Sequence, residues 1–132
     1  MNTAVIGFGS NIEAPANIEK ARGLLGQEQL TVLKASRFVT TTPVGIRDQD
    51  DFLNGSVLIE TPLSCTELKD ILRGIEDRLG RDRTGPKFGP RTIDLDLVIW
   101  NGEVVDQDFY KRDFVRTSVL EIMPDLKYTK DH

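Results

Sequence analysis

The chain is short of the side chains that most often carry metal and redox chemistry. It holds one cysteine, Cys65, and one histidine, His132, among 132 residues. A lone cysteine excludes an intrachain disulfide and argues against a cysteine-based zinc site. A lone histidine at the last position excludes general base catalysis by histidine. No apolar run approaches the roughly 20 residues of a membrane span, and the first residues lack a basic region followed by an apolar stretch. A cytoplasmic protein without a membrane partner is expected. The net charge of −4 argues against a general nucleic-acid binder, so an anionic ligand would need a local basic patch. Gly7 and Gly9 begin a dinucleotide-type pattern, but Ile12 stands where its third glycine belongs, and a Walker A pattern is missing. The sequence therefore argues against a P-loop, and Gly9-Ser10 reads as a tight turn. Asn54-Gly55-Ser56 fits the glycosylation pattern only by chance, because no secretion signal accompanies it.

What is present suffices for one domain spanning residues 1–132, with 39% hydrophobic residues for one modest core. Thr3 to Phe8 reads as a strand. Pro15 suits the first turn of a helix, Ile18, Ala21, Leu24 and Leu25 continue at helical spacing, and Gly26 stops it. Leu30 to Val39 is strand-like, Thr40 to Asp51 a loop with Pro43 and Gly45, and Phe52 to Glu60 a strand. Ser64 and Glu67 form a capping box. Leu68, Ile71, Leu72, Ile75 and Leu79 then mark an amphipathic helix ended by Gly80. Ile93 to Trp100 is a strand, Asn101-Gly102 a turn, and Ser118 to Met123 a short helix closed by Pro124. Strand, helix, strand, strand, helix, strand is the ferredoxin-like βαββαβ order, an α+β fold with an antiparallel sheet and helices packed on one face.

The last strand carries the sharpest chemical signal. Alternate strand residues share a face, which groups Asp94, Asp96, Val98 and Trp100 on one side and Ile93, Leu95, Leu97 and Ile99 on a core side. The two aspartates lie about 6–7 Å apart at their Cα atoms, close enough to converge on one or two cations. Mg²⁺ is commonly held by one or two carboxylates plus substrate phosphates. The alternative, a wet strand face with two surface acids, leaves Trp100 exposed and ignores the segment just upstream. That segment holds Arg81, Arg83, Lys87 and Arg91. Guanidinium groups grip phosphate, and phosphoryl transfer depends on positioning and charge neutralisation. Phe52 and Asn54 share a face of the third strand and could supply a stacking surface and an edge partner for a flat heterocycle. Arg73 and Glu76 face one side of the second helix, where an exposed ion pair of little worth is the ordinary expectation.

Taken together, Gly7-Phe8-Gly9-Ser10-Asn11, the run from Thr40 to Asn54 and the run from Gly89 to Trp100 resemble the 6-hydroxymethyl-7,8-dihydropterin pyrophosphokinase family of folate biosynthesis. The similarity runs from about Ala4 to Leu126 and is densest from Thr40 to Trp100. The resemblance implies transfer of a pyrophosphoryl group from MgATP to the pterin hydroxymethyl group, with release of AMP. It implies Arg81, Arg91, Asp94 and Asp96 as catalytic residues, with Asp94 and Asp96 holding Mg²⁺, two ions being expected. It places Thr41, Val44, Phe52, Asn54 and Phe114 around the pterin. It places Arg73, Glu76, Arg83, Lys87, Phe88, Arg91, Leu97 and Arg112 around ATP, with Arg83, Lys87 and Phe88 in a loop over the nucleotide. The partners it implies are these small molecules, with no nucleic acid; the sequence leaves the oligomeric state open, and a monomer is favoured.

The chain departs from the family after the acidic strand. Asn101 to Lys111 is short, a Pro-His-Pro-like segment near the ATP site has no counterpart, and Arg116-Thr117-Ser118 stands where leucine and proline are common. A non-catalytic pterin- or nucleotide-binding paralogue is therefore the competing expectation, separable by an assay for AMP. An RNA-binding ferredoxin-like module is a third, disfavoured by the acidic balance.

Overall fold

The computed structural model describes residues 1–45, 48–81, 84–85 and 89–129. Strand β1 (Asn2–Ser10) is central. It is followed by α1 (Ala14–Leu25), β2 (Thr31–Ala35), β3 (Val39–Thr41), β4 (Phe52–Thr61), α2 (Cys65–Arg78), β5 (Asp94–Trp100), β6 (Glu103–Val104), α3 (Asp108–Lys111) and α4 (Asp113–Ile122). The sheet order is β2-β4-β1-β5-β6, with β3 also on β4, and all pairings are antiparallel. This is the expected ferredoxin-like arrangement.

The two helices of the βαββαβ order cover one face. Ile18, Ala21 and Leu25 of α1 and Leu68, Leu72 and Ile75 of α2 close over Ala4, Ile6, Phe8, Val57, Ile59, Ile93, Leu95 and Leu97. The periodicity dictates this, because helical spacing and strand alternation each gather apolar side chains to one side. A smaller cluster lies on the opposite face, where Phe109 of α3 and Val119 and Ile122 of α4 meet Val5, Val98 and Ile99. Tyr110 and Tyr128 pack edge-on against Phe109 at 5.1 and 4.9 Å. The rest of that face stays open and holds the site.

Several local expectations are corrected. The strand foreseen from Leu30 to Val39 is two strands on one edge of β4. Ser36 interrupts the ladder, its amide donating to the Ser56 carbonyl and its hydroxyl accepting from the Ser56 amide, both at 2.8 Å. Phe38 then turns its ring onto Gly55, where a Cβ would lie 2.5 Å from a ring carbon. Thr40 and Thr41, foreseen as loop, belong to β3 and pair with Leu53 and Phe52. Helix α4 begins at Asp113, five residues before the expected start, because Val115, Val119 and Ile122 already form its apolar stripe. Gly9-Ser10 is not a turn, since β1 runs through Ser10.

The largest correction concerns β5. Val5 pairs with Ile99 and Ile6 with Leu97, leaving Val98 as an extra residue in a β-bulge. Alternation is shifted beyond it. Ile99 joins Val98 in the α3–α4 cluster, and Trp100 packs against the α1–α2 cluster. Trp100 therefore does not share the face of Asp94 and Asp96, and Ile99 does not share that of Leu97.

Candidate active site

Two rows run across the open face. Asn54 of β4, Gly9 of β1 and Asp94 of β5 are in register, and beside them stand Ser56, Gly7 and Asp96. Strands lie about 4.8 Å apart, so roughly 10 Å separates the β4 side chains from the β5 carboxylates. The glycines keep the strip between them clear. A Cβ on Gly9 would sit 2.8 Å from Asn54 Oδ1, and one on Gly7 3.3 Å from Val98 Cγ2.

Over this strip lies a cavity of about 290 Å³ lined by Thr41, Val44, Phe52, Asn54, Arg81 and Arg91, and further by Asp94, Asp96, Arg112 and Phe114. The structure thus brings together all five residues expected around a pterin, all four expected to be catalytic, and Arg112. Asn54 Nδ2 donates to Thr41 Oγ1 at 2.5 Å, which orients the amide. A second recess of about 620 Å³ includes Arg73, Glu76 and Leu97 in its wall, the other described residues assigned to ATP. Asp96 and Asp106 line both spaces. Arg83, Lys87, Phe88 and His132 lie outside the described residues.

Arg81 is placed by the end of α2. Gly80, at φ 82°, forms the left-handed cap. The Arg81 and Gly80 amides donate to the Glu76 and Asp77 carbonyls at 3.0 and 3.1 Å, a Schellman closure. The Arg81 guanidinium then donates to Glu76 Oε2 at 2.8 Å and to Asp94 Oδ1 at 2.9 Å. Glu76 Oε2 also accepts from the Leu95 amide at 2.9 Å. Glu76 is buried rather than half of an exposed pair with Arg73; a single carboxylate ties α2, Arg81 and β5 together.

Arg91 is held by Asn11, which is buried at the end of β1. Asn11 Oδ1 accepts from the Arg91 amide at 2.9 Å, and the Asn11 amide donates to the Arg91 carbonyl at 3.1 Å. Asn11 Nδ2 donates to Gln49 Oε1 at 2.8 Å and to the Asp50 carbonyl at 2.9 Å. One side chain so joins the loop after β3 to the segment before β5. Ser10 Oγ adds a bond to the Thr92 carbonyl at 2.6 Å. No sequence pattern marks this role for Asn11.

Sequence reasoning also missed Asp106 and Asp108. Their carboxylate oxygens and that of Asp96 lie within 4.8 Å of one another, a candidate cation cluster. Burial, then the neighbouring Asp94 and further acids, push the Asp96 carboxyl up to about 9. Burial also raises Asp106, with smaller contributions from Asp108 and Asp94, against the Asp108 amide that lowers it. Acids that resist ionisation side by side are suited to a cation that relieves their repulsion. A signal existed in the D-x-D spacing of 106 and 108, but only folding of the short 101–111 segment brings it to Asp96.

A ferredoxin-like sheet whose open face carries one cavity, with Phe52 and Asn54 at one side and Arg81, Asp94 and Asp96 at the other, has the form of a small-molecule site. The family model for 7,8-dihydro-6-hydroxymethylpterin-pyrophosphokinase (HPPK) matches residues 5–124. The chain is similar to 2-amino-4-hydroxy-6-hydroxymethyldihydropteridine pyrophosphokinase of Bacillus subtilis, at 39% identity over 92% of this chain and 78% of that one. It is 35% identical to the protein of the same name from Haemophilus influenzae, over 96% of this chain and 84% of that one. The chain belongs to the 7,8-dihydro-6-hydroxymethylpterin-pyrophosphokinase family.

Proposed function

We infer that the chain catalyses the reaction of its family, ATP-dependent pyrophosphoryl transfer to 6-hydroxymethyl-7,8-dihydropterin with release of AMP, in folate biosynthesis. The carrying observation is that the two recesses meet at Asp96 and Asp106. The pterin occupies the smaller one, stacked on Phe52 and Phe114, with Asn54, Thr41 and Val44 at its edge. ATP occupies the larger one beside Arg73, Glu76 and Leu97, with Arg112 near its phosphates. The pterin hydroxyl oxygen bonds to the β-phosphorus and its proton is released to water, while the electron pair of the broken β-phosphorus–oxygen bond stays on the α-phosphate oxygen and leaves with AMP. Arg81 and Arg91 stabilise charge on the transferring group. Arg81 is aimed by Glu76 and Asp94, so little reorganisation is needed during the reaction.

Mg²⁺ fits this donor set. Asp94, Asp96, Asp106 and Asp108 offer only hard carboxylate oxygens, the ligands Mg²⁺ takes alongside substrate phosphates. Bound there, it would supply neutralisation of phosphate charge. Asp106 and Asp108 widen the expected ligand set beyond Asp94 and Asp96.

With MgATP and 6-hydroxymethyl-7,8-dihydropterin, AMP should form mole for mole with the pterin consumed. ADP as the product would reject the assignment. No turnover at any ATP concentration would leave the non-catalytic paralogue.

Gly9→Ala tests the strip. Its Cβ would force the Asn54 amide away, since the ideal position is only 2.8 Å from Oδ1. Pterin binding should weaken about tenfold, the scale of one hydrogen bond lost, while affinity for an MgATP analogue holds. Unchanged pterin affinity in calorimetry would remove Gly9 and Asn54 from the pocket.

A further inference from the structure

Phe52, Asn54 and Ser56 are alternate residues of β4, and all three line the smaller cavity. Ser56 has no part in the assignments above. It is only 1% exposed and belongs to the buried part of the cavity wall. Its register partner is Gly7, whose other neighbour is Asp96. Ser56 thus faces the acidic strand across the glycine strip.

Its hydroxyl lies 2.5 Å from Ser118 Oγ on α4, which also lines the cavity. Ser118 Oγ donates to the Val115 carbonyl at 3.0 Å. A hydroxyl has one hydrogen and two lone pairs. With the Ser118 hydrogen directed to Val115, the hydrogen between the two oxygens comes from Ser56. Both hydrogens are then used within the protein, and Ser56 Oγ faces the cavity as an acceptor. The Ser56 main chain is occupied by Ser36.

We propose that Ser56 Oγ is a specificity-determining acceptor for an N–H on the edge of the bound heterocycle. The proposal rests on the pterin reading. A pterin carries an exocyclic amine and ring N–H groups, the donors such an acceptor selects. An analogue presenting a lone pair at that point would meet a buried oxygen with no hydrogen to offer, which is how a polar pocket rejects near-isosteres.

The competing role is a staple holding α4 to β4. Ser56→Ala and Ser118→Ala each break the same hydrogen bond, but only the first removes the acceptor. The measurement is calorimetric titration of each variant with 6-hydroxymethyl-7,8-dihydropterin, in the presence of Mg²⁺ and a non-hydrolysable ATP analogue, alongside thermal melting. Ser56→Ala should weaken pterin binding about tenfold, with affinity for the ATP analogue held within about twofold. Ser118→Ala should change pterin affinity by less than about threefold despite a comparable fall in Tm. Equal losses in the two variants, or no loss in Ser56→Ala, overturn the proposal. If the alanine variant does not fold, Ser56→Cys keeps the side-chain shape with a somewhat larger atom, replaces a good acceptor with a weak one, and is read in the same way. A wild-type chain that binds no pterin would sink the functional reading together with this one. Intact wild-type binding with an unaffected Ser56→Ala would sink this one alone.

Discussion

Asp96→Asn should abolish most turnover while leaving the metal-free protein as stable as the wild type or more so. Asp96 is half-buried at the junction of the two recesses. Burial and the adjacent Asp94 raise its carboxyl to about 9, so ionising it in the fold without a cation is unfavourable. The amide has the same shape and no charge. A loss of roughly 10³-fold in turnover corresponds to the several kcal/mol that a bound cation contributes to the transition state. The sign with pH follows from linkage. A carboxyl raised in the fold binds its proton more tightly there than in the unfolded chain. Its stabilising contribution is full below the ordinary value of 3.8 and is lost as pH rises towards about 9. The metal-free wild type should therefore lose Tm between pH 6 and 9, and Asp96→Asn should lose less. Mg²⁺ with an ATP analogue should raise the wild-type Tm, because a ligand of the native state adds to apparent stability, and should raise that of the variant less. A variant of normal specific activity and lowered metal-free Tm would exclude the cation-site assignment.

Glu76→Ala should be the most destabilising single change at the site. Glu76 Oε2 accepts from both Arg81 and the Leu95 amide, and the Glu76 and Arg81 side chains are only 10% and 16% exposed. Removing one partner of a buried pair costs about 3–5 kcal/mol when the remaining charge is left uncompensated; here Asp94 still pairs with Arg81, which puts the loss at the lower end, about 3 kcal/mol. The Leu95 amide also loses its acceptor. Turnover should fall as well, since Arg81 would keep only Asp94 to aim it. Glu76→Gln retains a carbonyl for the Leu95 amide and should lose less stability than the alanine variant. Urea unfolding of the three proteins provides the comparison. An alanine variant within about 1 kcal/mol of wild type would show that Glu76 is not the tie between α2 and β5.

Much of this protein was legible from its sequence. The capping box at Ser64 and Glu67, the apolar period of α2 and the stop at Gly80 are local, and the structure bears them out with reciprocal cap bonds of 2.9 and 3.1 Å. The βαββαβ order followed from such local signals, which depend on a few neighbouring residues. Alternation on β4 and on β5 up to Leu97 placed Phe52 with Asn54 and Asp94 with Asp96. The Val98 bulge was not legible, because a bulge is a property of two paired strands, and it reversed the expected sides of Ile99 and Trp100. Gly9 looked like part of a turn until β4 and β5 were set on either side of it. Glu76 looked exposed because helical spacing gives the face of a helix and not what covers it. Asp106 and Asp108 became candidates only when the chain beyond β5 doubled back to Asp96. Sequence by itself determined the main helices and strands, their βαββαβ order and the chemical types present, since these follow from short-range spacing and capping. Tertiary structure alone decided which side chains meet, because register, burial and charge proximity arise between segments distant in the chain.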